Sequence, residues 1–139
     1  MLLHSPPLAA AWLDFNNAVR YETELDDRTR ELIILRVAVL TGCGYVLKIH
    51  AGRYAEPAGV TQKEVEALSA RDISTLLAPR ERALLAYVDA MTRDVEVPDG
   101  IFAALREHFD ERRIVELTVL IGSYNMHTRV LRALGIEPE

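Results

Sequence analysis

The chain has 139 residues, half of them hydrophobic and 27% charged, which suits one packed domain over 1–139 rather than a disordered chain. A formal net charge of -5, with basic residues scattered among acids, excludes the clustered positive surface that nucleic acid or an anionic membrane requires. The sole cysteine, Cys43, excludes an intrachain disulfide, the N-terminal stretch has no signal-peptide pattern, and the longest apolar run, from Leu32 to Leu40, is too short to cross a bilayer; a cytoplasmic protein is expected.

Apolar residues recur with the 3.6-residue period almost throughout and never alternate for long, so the expected fold class is all-α. Ser5 is placed to cap a first helix, with Pro6 at its first position and Leu8, Trp12, Phe15 and Val19 along one face. Asp26 and Asp27 precede a second helix, about Thr29 to Leu40, which Gly42 ends. Being apolar nearly all round, it is expected at the centre of the core. A third helix is expected from about Cys43 to Ala55, closed by Pro57 and Gly59. Thr61 and Glu64 form a capping-box pattern for a short helix carrying Val65 and Leu68. Pro79 introduces a helix with Leu84, Val88 and Met91 inside, and Pro98 another with Ile101, Leu105 and Phe109. Asp110 caps a long last helix that Gly135 ends, with Gly122 a point for a bend or a close neighbour.

The chemistry concentrates in the second and third helices. Cys43 stands at a helix N-terminus, where the dipole favours a thiolate, although a lone cysteine also serves as a small core residue. On one helix Cys43 and His50 would lie about 10 Å apart along the axis, too far for a nucleophile–base pair. The residue one turn before His50 is Val46, which has no chemistry. Glu31, on an otherwise apolar helix, needs a partner if buried. Contact with His50 would satisfy both and create a proton-transfer unit. Arg36 is a candidate carboxylate ligand or a structural ion pair. Tyr45 and Lys48, three apart, can face one way and hydrogen-bond an anion, or be solvated. Near the C-terminus, Tyr124, Asn125, His127 and Arg129 add polar groups. Asn125 and His127 diverge on a helix, so one is expected in a pocket and the other against a neighbouring subunit or water. His4, His50, His108 and His127 have no metal-ligand spacing, and neither a phosphate loop nor a nucleophile elbow is present; no metal and no cofactor are expected.

The run RELIILRVAVLTGCGYVLKIHAGRYAEPAG, residues 30–59, resembles the signature of carboxymuconolactone decarboxylase and alkylhydroperoxidase-D (AhpD)-like proteins. That signature has an E-L-x-x-L-R-x-A segment, a G-C-x-Y turn and a histidine downstream. The resemblance continues through PRERALLAYVDAMTRD, Pro98 to Phe109 and RIVELTVLIGSYNMHTRVLRALG, almost the whole chain. It implies an AhpD-like helical fold, assembly into homotrimers or hexamers, and a small-molecule substrate. It also implies roles for Glu31, Cys43 and His50, which match the glutamate, first cysteine and histidine of the hydroperoxide-reducing members. Val46 takes the place of the second cysteine, the one usually assigned to attack peroxide. The decarboxylating branch needs no C-x-x-C. Three readings follow, in order of preference: a cofactor-free enzyme moving protons on a small organic acid or lactone, a one-cysteine peroxidase restored by an external thiol, and a non-enzymatic oligomeric binding protein.

Overall fold

The computed structural model describes residues 2–69 and 77–136. Among these residues seven α-helices follow in chain order: α1 Pro6–Tyr21, α2 Asp27–Thr41, α3 Gly44–Arg53, α4 Gln62–Ala67, α5 Pro79–Asp89, α6 Asp99–Arg106 and α7 Glu111–Ala133. A short 3-10 turn, Leu2–His4, precedes them, and a π-helical turn, Ala90–Asp94, extends α5. No strand occurs among the described residues, and none of the helices is long and apolar enough to cross a membrane.

Capping chemistry sets most of these boundaries. The Asp26 carboxylate accepts the Thr29 N–H at 2.8 Å, and Gly42, at φ 63°, turns the chain left-handed after α2. Thr61 N–H donates to the Glu64 carboxylate at 2.8 Å while Glu64 N–H donates back to the Thr61 hydroxyl, completing the capping box of α4. Asp110 accepts the Arg113 N–H at 2.8 Å to start α7, and Gly135 closes it at φ 63°.

Four expectations need correction. Ser5 stands before α1, but its side chain makes no capping bond; the second of the two prolines that follow removes one of the two N–H groups such a cap would serve. α3 ends at Arg53, because the Tyr54 and Ala55 N–H groups both close on the His50 carbonyl and the chain turns away. Met91 falls in the π-helical turn beyond α5, where it still packs, half-buried, against the core. A Cβ at Gly122 would meet nothing within 4 Å, so no neighbour within the chain approaches it closely.

α2 is the centre of the core. α7, α3 and α5 pack around it, so Leu32, Ile33, Ile34, Leu35, Val37 and Ala38 are all buried. Each fully buried aliphatic side chain of this kind contributes roughly 1.5–3 kcal/mol, which lets the same helix carry two buried charges, Glu31 and Arg36. α1 behaves differently. It lies against α7, yet only Val19 is buried, and Leu8 and Phe15 remain 65% and 42% exposed.

Candidate active site

The two buried charges of α2 have different partners. Arg36 donates from Nε and Nη2 to both Asp89 oxygens at 2.7 and 2.6 Å, and from Nη1 to the Leu68 carbonyl. This fork–fork pair fastens α2 to the end of α5, and Arg36 lines no cavity with chemical groups of the site. Glu31 meets His50 across the α2–α3 contact, Oε2 to Nδ1 at 2.6 Å, both side chains almost fully buried.

An ionised carboxylate only accepts, so His50 donates its Nδ1–H to Glu31 and keeps a lone pair on Nε2. The Tyr124 hydroxyl lies 3.4 Å from that Nε2. This contact is long for an O–H···N bond and readily exchanged for a ligand. Burial raises the Tyr124 phenol above its ordinary range, the Glu31 charge adds to the effect and the positive charge of Arg20 opposes it, so the group stays protonated. Two rings fix the imidazole: Tyr54 at 5.1 Å between centroids and Tyr124 edge-on at 5.7 Å.

On the other side of Tyr124, His127 stacks at 5.5 Å and receives the Trp12 indole N–H on Nδ1 at 3.3 Å. Burial lowers its pKa to about 4, and the positive charge that His50 carries when it becomes an imidazolium, together with that of Arg20, acts in the same direction. At neutral pH His127 is therefore uncharged, with its proton on Nε2 as a donor.

These groups surround a cavity of about 200 Å³, small enough to suit a compact organic molecule. His50, Tyr54, Tyr124 and His127 provide its aromatic and acid–base wall. Tyr45, Val46 and Ile49 from α3 and Asn16 and Arg20 from α1 complete it. A larger depression of about 440 Å³, lined by Leu40, Thr41, Thr92, Arg129 and Arg132, contains no imidazole, thiol or carboxylate. The chemistry therefore favours the smaller cavity. Among the described residues no cluster of His, Cys, Asp and Glu could hold a metal ion.

The sequence-derived candidates thus separate. Glu31 and His50 are in contact, and Tyr45 lines the same cavity. Cys43 precedes α3, is 2% exposed within the hydrophobic core, and does not line the cavity; Val46 does. Lys48 is exposed and lies outside the cavity wall, although Tyr45 is in it. Sequence reasoning missed Asn16, Arg20 and Tyr54. For α1 the signal was the 12–16–20 spacing, which puts Trp12, Asn16 and Arg20 on one stripe.

A family model described as the carboxymuconolactone decarboxylase family matches residues 6–90, which include Glu31, Cys43 and His50. YdfG of Bacillus subtilis (strain 168), an uncharacterised protein, is 30% identical over 116 residues, covering 82% of this chain and 78% of that one. YnjA of Escherichia coli (strain K12), also uncharacterised, is 31% identical over 126 residues, 90% of this chain and 66% of its own. Among solved structures, ATU0492 from Agrobacterium tumefaciens, provisionally described as the antioxidant defence protein AhpD, superposes with a TM-score of 0.90 at 31% identity, covering 98% of this chain and 94% of that one. A peroxidase-related protein from Silicibacter sp. TM1040 gives 0.85 at 26% identity, over 97% and 72% of the two chains. An AhpD-core protein from Ralstonia eutropha JMP134 gives 0.85 at 20% identity over 99% and 74%, a likeness of fold alone. A family match across more than half of the chain, relatives at 30% identity and a shared all-helical AhpD-like architecture converge: this chain belongs to the carboxymuconolactone decarboxylase family.

Proposed function

We propose that this protein is a cofactor-free acid–base enzyme acting on a small organic acid or lactone. The observation that carries the reading is the 2.6 Å Glu31–His50 contact beside a small cavity that the only thiol does not line. His50 Nε2 moves the proton, and Glu31 holds the tautomer and stabilises the imidazolium. In a decarboxylation the C–C bond to the substrate carboxylate breaks, its electron pair moves into a conjugated carbonyl as an enolate, and CO2 leaves. His50, protonated on Nε2 from solvent, then delivers that proton to carbon and is left neutral, for a net uptake of one proton. Neutral donors suit the enolate oxygen, and both the Tyr124 hydroxyl and the His127 N–H border the same space.

One of the similar solved structures is described as peroxidase-related and another provisionally as an antioxidant defence protein, which favours the thiol-dependent reading. Against it stand the burial of Cys43 and the valine at position 46, which leaves no second sulfur at the cavity. We further propose that the working unit is a homo-oligomer. Leu8 and Phe15 of α1 and Val115, Val119 and Met126 of α7 leave an apolar face open on the single chain, and patches of that kind mark contact surfaces.

The test is CO2 release and solvent-deuterium incorporation on carboxymuconolactone and a panel of small carboxylated lactones. His50→Ala is expected to lower kcat by about 100-fold or more, and Glu31→Gln by at least about tenfold. Turnover unchanged by His50→Ala would reject the acid–base reading.

A further inference from the structure

We propose that Arg20 is the specificity-determining residue of this cavity and selects ligands that carry a carboxylate. Among the described residues it is the only permanently charged side chain in the cavity wall, and none of the aspartates or glutamates lines that wall. The three arginines of α2 each have a carboxylate partner: Arg28 with Glu64 and Glu81, Arg30 with Asp27, Arg36 with Asp89. Among the described residues Arg20 has no such carboxylate. Its guanidinium lies instead over the Tyr21 ring at 4.8 Å and the Tyr54 ring at 4.9 Å. Its Nε is buried without an acceptor, and the side-chain oxygen of Asn16, one turn earlier on α1, is buried without a donor.

A guanidinium has five donors in a fixed fork, the complement of a carboxylate. Stacking on tyrosine faces holds it in place without consuming those donors. Tyr54 also touches His50, so a carboxylate on Arg20 leaves the remainder of a small ligand beside the imidazole. Arg36 and Lys48, the cations that the sequence offered for this task, are not in the cavity wall. The positive charge of Arg20 is felt at both Tyr124 and His127, consistent with one shared, water-poor space.

The inference deepens the acid–base reading and rests on the same cavity, but binding rather than turnover tests it. Trp12 is the sole tryptophan and donates to His127, so its fluorescence reports on occupancy. The protein is titrated with paraconate, a lactone bearing one carboxylate, and with its uncharged methyl ester, and calorimetry serves as a second readout. Paraconate is expected to bind at least about tenfold more tightly than the ester. Arg20→Gln is expected to abolish that preference and Arg20→Lys to keep part of it, with His50→Gln leaving it intact. Equal binding of acid and ester, binding of neither, or a preference surviving Arg20→Gln overturns the proposal. The wild-type comparison decides even if Arg20→Gln fails to fold. Should His50→Gln retain full turnover while Arg20 still governs the preference, the acid–base reading fails and the anion site stands.

Discussion

His127 is the residue whose charge state the fold controls most visibly. Its folded pKa of about 4 lies below the ordinary 6.5, so between those values the unfolded chain binds a proton that the folded chain refuses. The folded state therefore loses stability as pH falls from 6.5 to 4, and this contribution is flat below. Urea midpoints measured across that range are expected to fall for the wild type and to fall less for His127→Asn, whose amide can still accept from Trp12. Parallel curves would show that His127 is not held neutral. The Glu31–His50 contact was legible in the sequence, because a carboxylate on an apolar helix needs a partner and an imidazole stood on the next helix. Arg20 was not. Its importance comes from the missing counter-charge, and only the three-dimensional surroundings of α1 disclose that.

The helices were read well wherever a side chain or a left-handed residue fixes an end, as at Asp26, Gly42, Thr61, Asp110 and Gly135. They were read poorly where backbone geometry decides. Nothing in AMTRD foretold a π-helical turn, which buries Thr92 to accept the Asn125 amide N–H at 3.0 Å. That turn ends at Val95, a β-branched residue at φ 69° and ψ -40°, 83% exposed. Such a conformation costs a β-branched residue on the order of 1–3 kcal/mol, and glycine adopts it freely at some cost in chain entropy. Val95→Gly is expected to stabilise the protein by about 1 kcal/mol in denaturant melts. A destabilised variant would mean that the backbone there is unstrained.

For the whole molecule, the exposed apolar positions of α7 follow one helical stripe, Val115, Val119 and Met126, with Gly122 between them. Phe15 borders Val115 and Val119 in a mostly apolar depression of about 210 Å³. In the proposed homo-oligomer the exposed apolar stripe of α1 would lie against a partner. Light scattering is expected to give a mass that is a multiple of 15.6 kDa, with Val119→Glu shifting it to the single chain. A monomeric wild type would remove the oligomer proposal.

In the proposed mechanism an imidazole and not a thiol performs the chemistry. Cys43→Ser and His50→Ala should be assayed side by side with the wild type, on carboxylated lactones and on an organic hydroperoxide with added dithiol. Lactone turnover is expected to survive Cys43→Ser within about twofold and to disappear with His50→Ala. Rapid, saturable hydroperoxide reduction that vanishes with Cys43→Ser would contradict the mechanism.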